Sequence, residues 1–265
     1  VKAIFSLTST ESKRLIAKAV AQMNEVKNAM KDGKIIIGGG TTNGFVLEEL
    51  TGNSVDKANF TFGIVNKGIH CITSSNNRRA KIPAVLVNGQ TSEMPVQEVL
   101  KGFTKDDVFI KGANAVDPQG NIGILVGSPV GGTIGGAFPT LVSRKSKLIV
   151  PVGLEKLIPS VYKAASFGGM YDWDYSLGMR CSLWPVSDAI VVTEIEALSI
   201  LADVNAILMS AGGTGLTAGA VTIAISGNEK NVKSAFDLIK NIKGEPALAD
   251  TKRPCSECDS PCNIV

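Results

Sequence analysis

The chain has 265 residues, 44% hydrophobic and 19% charged, a mixture that builds a packed core and excludes a disordered or fibrous protein. Its formal net charge of +3 comes from scattered Lys and Arg, so no basic stripe points to a nucleic-acid partner. Apolar runs such as Ala189–Val192 are far too short to span a membrane, and the opening residues lack the apolar stretch and cleavage site of a secretory signal. Five cysteines, an odd number in a chain too large to need staples, lead us to expect reduced thiols and a cytoplasmic location.

In chain order, Ser9–Met30 reads as one helix, capped by Ser9 or Thr10, with Leu15, Ile16, Ala19, Met23 and Val26 on a single face. Asp32-Gly33 ends it. Lys34–Ile37 is a short apolar strand of the kind a parallel sheet buries on both faces. A glycine and threonine loop, Gly38–Gly44, leads into a helix at Phe45–Leu50. Strands are expected near Phe60–Val65, Ile69–Thr73, Ala84–Asn88, Val108–Lys111, Ile122–Val126 and Leu148–Val152, with a small-residue helix over Gly132–Ser143. Beyond Pro159 the pattern gives a strand at Ala189–Thr193, a helix at Glu194–Ala202 and strands at Ala206–Ser210 and Ala220–Ser226. A helix over Asn228–Ile242, capped by Asn228 and stopped by Gly244, completes it. The expected fold class is α/β: a Rossmann-like parallel-sheet domain over 1–160, then a smaller α+β domain of ferredoxin-like type over 189–248. An aromatic linker or lid over 161–188 joins them, and a cysteine-rich tail covers 249–265.

Glycines between a buried strand and a helix let backbone amides close on an anion, and threonines add hydroxyl donors. Gly39, Gly40, Thr41, Thr42 and Asn43 are therefore candidate ligand contacts, with a tight turn packed by glycine as the alternative. Neither the dinucleotide fingerprint nor the P-loop spacing is present. A second polar group gathers after the strand at Val108: Lys111, Gly112, Asn114 and Asp117, at the edge where open α/β sheets hold ligands. Lys111 and Asp117 are the catalytic candidates there, although Asp117-Pro-Gln-Gly is also an ordinary turn. In a third run, Gly127–Ala137, Gly131 and Gly132 permit either ligand approach or close helix packing.

Together these runs resemble the superfamily of ribose-5-phosphate isomerase A, DeoR-type sugar-phosphate sensors, glucosamine-phosphate deaminase and CoA transferases. Gly38–Thr42 is similar to that group's first glycine loop, Gly112–Asp117 to its Gly-Ala-Asp/Asn segment, and Gly135-Gly136-Ala137 to its helix start. The resemblance covers roughly residues 10–160 and implies a small phosphorylated or carboxylated metabolite, a sugar phosphate or CoA ester, bound by a homo-oligomer. The pattern also departs from the family. Asn114 stands where the isomerase has an acidic residue, and Phe138–Arg144 carries no carboxylate where its catalytic Glu is expected. Glu93 is the nearest match to the transferase nucleophile, but lies too close to Gly112, and no helix-turn-helix fits before Gly33. An isomerase- or transferase-like scaffold without its usual carboxylate leaves open a non-catalytic subunit.

Cys255, Cys258 and Cys262 place three thiols within eight residues, a spacing able to wrap a 4Fe–4S cluster or zinc, with a redox or metal-dependent function as the alternative to metabolite binding. His70 is either a fourth ligand or a partly buried, satisfied side chain. Both tryptophans and all three tyrosines fall between Tyr162 and Trp184, suiting packing or an interface ahead of a lid. Asn76-Asn-Arg-Arg79 reads as a solvated turn or an anion contact.

Overall fold

The computed structural model describes residues 1–73, 81–249, 254–257 and 262. It opens with β1 (Lys2–Leu7), whose alternation turns Ala3, Phe5 and Leu7 toward the core. A capping box between Thr8 and Glu11 starts α1 (Ser9–Gln22), and α2 (Asn24–Asp32) follows. Then come β2 (Lys34–Ile37), α3 (Thr41–Thr51), the hairpin β3 (Gly63–Asn66) and β4 (Ile69–Ile72), β5 (Ala84–Val87), β6 (Gln90–Thr91) and α4 (Val96–Lys101). The middle of the chain gives β7 (Val108–Ile110), β8 (Ala115–Val116), β9 (Ile122–Val126), α5 (Gly132–Arg144) and β10 (Lys147–Pro151). A 3-10 turn at Leu154–Lys156 leads to α6 (Val161–Ala165), β11 (Ser182–Val186), β12 (Ile190–Val192) and α7 (Glu194–Ala202). The chain continues through β13 (Asn205–Gly212), β14 (Ala220–Ser226) and α8 (Glu229–Ile242).

The protein is a mixed α/β structure with several sheets. The largest is ordered β12-β10-β7-β2-β5-β6; β12, β10, β7 and β2 run parallel, and β5 and β6 continue antiparallel. Its strands are apolar on both faces. Ile35, Ile37, Val108, Ile110 and Ile149 point into the core shared with α1, α3 and α7, while Ile36, Phe109, Leu148 and Val150 point into the one shared with α4 and α5. Ile35, Ile36 and Ile37 are wholly buried, each burial contributing roughly 1.5–3 kcal/mol, so a polar residue has no place in this strand. Two further sheets are three-stranded, ordered β1-β14-β13 and β11-β9-β8. No helix among the described residues is long and apolar enough to cross a membrane.

Several features differ from the sequence expectation. The single helix over Ser9–Met30 breaks at Met23, which is extended (φ −63°, ψ 141°), so Val26 and Ala29 reach the core along a new axis. The opening residues form a strand, and β1 pairs antiparallel with β14 from Lys2↔Ser226 to Leu7↔Val221. Three strand pairings also run across position 160: β1 with β14, β12 with β10 and β11 with β9. The core containing Leu7, Leu15 and Ile35 accordingly runs on without a break to Ile223 and Ile239.

Arg14 on α1 ties the ends of the chain together. Its guanidinium meets Glu48 at 2.6 Å, Glu49 at 2.7 Å and Glu245 at 2.9 Å, and lies 4.7 Å from the Phe45 ring centroid. With about 13–19% of these side chains exposed, removing the cation leaves carboxylates facing one another in poor solvent. Arg14→Met is expected to lower stability by about 3 kcal/mol. Urea denaturation should show a lower midpoint at unchanged slope; a midpoint like the wild type's would remove Arg14 from this role.

Candidate functional site at the carboxyl edge of the parallel strands

Because β2, β7, β10 and β12 are parallel neighbours, the residues after them emerge on one edge: Gly38, Lys111, Gly153 and Glu194. Backbone bonds keep that edge continuous, with Gly38 N–H donating to the Ile110 carbonyl (2.9 Å), Lys111 to Ile149 (3.0 Å) and Val152 to Val192 (3.0 Å). Such an edge is where α/β sheets place ligands.

At one end of the edge sits the glycine loop. Gly40 N-caps α3 with no side-chain cap, so the first-turn amides of Thr41, Thr42 and Asn43 are left for other acceptors. The Lys111 stem crosses Gly38 so closely that a Cβ there would meet Lys111 Cδ at 2.9 Å. Gly39 is packed the same way by Ile82 and Phe62. Asn43 is fully buried; its Nδ2 donates to the Gly38 carbonyl (2.7 Å), while its Oδ1 has no partner and faces Gly112. Burial, with the Lys156 charge second, holds the Lys111 ammonium down at about 8.

At the other end lies a charged group that sequence reasoning missed. Lys13 comes from the first turns of α1, Glu155 and Lys156 from the 3-10 turn after β10, and Glu194 from the first turn of α7. Lys13 Nζ is 3.3 Å from Glu155 Oε1, and Lys156 Nζ donates to the Ala113 carbonyl (2.8 Å). Glu194 is wholly buried, its Oε2 accepting the Leu154 N–H at 2.9 Å. Burial and the Glu155 charge push its carboxyl up to about 7. Burial also pushes Glu155 up, but Lys13 and Lys156 outweigh it and hold that carboxyl below the ordinary range. The Ser12 hydroxyl lies beside the Glu194 carboxyl and favours its ionised form, a smaller effect than burial, while Glu155 Oε2 is buried without a partner among the described residues.

Other sequence candidates take structural positions. Asp117 is buried, and its carboxylate accepts Gln119 N–H (3.1 Å), Asn121 N–H (2.9 Å), Asn121 Nδ2 (3.1 Å) and Val161 N–H (3.0 Å). Burial raises its pKa, yet these donors outweigh it and lower the net value, so the group organises its turn and the start of α6. Asn114 is exposed and clasps β9, Oδ1 accepting the Leu125 N–H at 3.0 Å. Gly131 is buried against Trp184 and the backbone of Gly135, while Gly132 is exposed. Glu93 is about 90% exposed and pairs with Lys81. Half-buried His70 lies 3.7 Å, Nδ1 to Sγ, from Cys181, and Gly178 docks the aromatic segment on His70 through Met179 N–H (2.9 Å). Tyr162, Phe167, Tyr171 and Tyr175 of that segment are exposed. In the tail, Cys255 is exposed and Cys262 half-buried, while Cys258 and the Asn76–Arg79 turn lie outside the described residues. Among the described residues no group of three or more His, Cys, Asp or Glu is placed to hold a metal ion.

A comparison with family models, with curated proteins and with solved structures returned no match to this chain.

The Glu194 burial has a measurable consequence. Its folded pKa of about 7 lies above the ordinary 4.5, so the folded chain holds the proton more tightly than the unfolded chain. The stability contributed is present below the ordinary range and lost as pH rises through about 7. Against Glu194→Gln, the wild type is expected to lose on the order of 3 kcal/mol across that window. Denaturation curves for both proteins at stepped pH check this, and parallel pH profiles would show that Glu194 titrates normally.

Proposed function

We propose that the carboxyl edge binds a small phosphorylated or carboxylated metabolite in a Rossmann-like manner, with the β1-β14-β13 sheet and its helices as a second, ferredoxin-like layer. The observation that carries this reading is the convergence of the uncapped α3 N-terminus, Gly38–Gly40 and the Lys111 ammonium at one end of the parallel strands. Backbone amides of Thr41, Thr42 and Asn43 supply donors, and the helix dipole favours an anion at that point. Lys111 supplies the charge. Asn43 Oδ1, buried and without a partner, offers an acceptor to a hydroxyl on the same ligand.

Charge balance favours the same ligand class. Lys13 pairs with Glu155, Lys156 is attracted by Glu155 and Glu194, and Lys111 is repelled by Lys156. An arriving phosphate or carboxylate relieves that repulsion, and its effect is larger where water is scarce.

Sulfate and phosphate, followed by small sugar phosphates and hydroxy acids, are expected to raise the melting temperature of the protein in a saturable way. Lys111→Met removes a charge-assisted hydrogen bond and should weaken sulfate binding roughly ten- to a hundredfold. Gly38→Ala, which displaces the Lys111 stem, should act in the same direction. Sulfate affinity in the wild type should fall as pH climbs through about 8, where Lys111 loses its proton. No stabilisation by any of these anions in isothermal titration or melting experiments would end the reading.

A further inference from the structure

The hairpin of β13 and β14 is unlike the rest of the chain. Residues 204–228 include no charged side chain, although 19% of the whole chain is charged. With β1 these strands form a sheet whose two faces follow from the register. Phe5, Leu7, Val221, Ile223, Ile225 and Leu208 turn to the core. The opposite face carries three rows: Ile4–Ala224–Ile207 across the middle, Ser6–Thr222–Ser210 on one side and Lys2–Ser226–Asn205 on the other. A sheet with one face in water ordinarily turns polar residues outward. Here Ile4 and Ile207 keep 59% and 61% of their surface exposed, and Met209, at the irregularity between Leu208 and Ser210, keeps 59%. Lys2 is the one charge in the three rows.

We propose that this face is where two copies of the chain pair, sheet against sheet, about a twofold axis. Shape argues for a second copy. Ile4 and Ile207 stand on either side of Ala224, so the middle row has a dip between two ridges. Ile207 of each copy settles over the partner's Ala224, a contact that the twofold axis makes reciprocal. The flanking rows hold mostly Ser, Thr and Asn, short enough for the backbones to reach the ~10 Å at which sheets stack. Charge argues the same way, because a twofold axis brings like residues together and a charged face would repel its own copy. Lys2 stands in an outer row, away from the Ile4–Ala224–Ile207 centre. Area sets the strength. Three strands ~4.8 Å apart and ~20 Å long give a face well under the ~800 Å² per partner of a standard interface. Such a dimer forms and separates at micromolar concentrations instead of holding permanently. The pairing does not depend on what the carboxyl edge binds.

Sedimentation equilibrium of the full chain, from about 1 μM to about 1 mM, tests the pairing. The wild type should pass from monomer to dimer within that range. Each substitution on the face counts twice, once per copy, so Ile207→Lys should weaken association about a hundredfold or more. Ile4→Lys should act in the same direction. Both side chains point away from the core, and melting curves like the wild type's would show that the variants fold. Val65→Lys places the same charge on an equally exposed residue of the β3–β4 hairpin, and should leave association unchanged. A wild type that stays monomeric at the highest concentration overturns the proposal. So does a dimer that survives both Ile4→Lys and Ile207→Lys, or one that Val65→Lys weakens as much. Species growing beyond the dimer would show a contact that does not close, and would remove the twofold pairing.

Discussion

Charge buried where α1, the 3-10 turn and α7 meet is the constraint on which the rest of this structure depends. Taking an ion out of water costs several kcal/mol even after the protein relaxes, and an apolar core of the same volume is often the more stable solution. This chain nevertheless buries Lys13 and Glu194 and nearly buries Glu155. The pairing of Lys13 with Glu155 offsets part of the cost, and the neutral form of Glu194 avoids more. Each side chain comes from a different element, so the cluster exists only when three elements are already packed. It therefore reports on the folded state as a whole and not on any one segment.

α1 is the element that makes this packing possible. Its first turns deliver Ser12 and Lys13 to the carboxyl edge, and the adjacent Arg14 leaves on another face to gather Glu48, Glu49 and Glu245. The Thr8–Glu11 capping box fixes where the helix begins, and Lys243 and the Gly244 N–H both reach back to Glu11. The chain's last long helix is thus fastened to the first turn of its first. An α1 shifted by one residue would turn Lys13 about 100° away from Glu155. Cap, clasp and charged cluster are three readings of a single placement.

How much of this was legible follows from how local each signal is. The glycine loop could be read because strand, glycine, threonine and helix are neighbours in sequence, but α3 starts at Thr41, four residues before the expected Phe45, so the threonines lie in its first turn. Alternation revealed most strands, but β1 passed unnoticed because its partner β14 lies more than two hundred residues away. Asp117 and Asn114 looked chemical because polar residues after a strand invite that reading, yet Asp and Asn in turns more often serve their own backbone. Here each carries structural bonds: four to the Asp117 carboxylate, and one from Leu125 N–H to Asn114 Oδ1. Glu155 and Glu194 gave no sign because positions 13, 155 and 194 share no spacing. The short segments that follow the parallel strands were the available clue, and they required knowing the strand order.

The two ends of the edge are not independent. Lys156 is held by the Ala113 carbonyl and stands between them, attracted by Glu155 and Glu194 and repelling Lys111. That coupling needs no moving loop, only charges spaced closely in a region that water enters poorly.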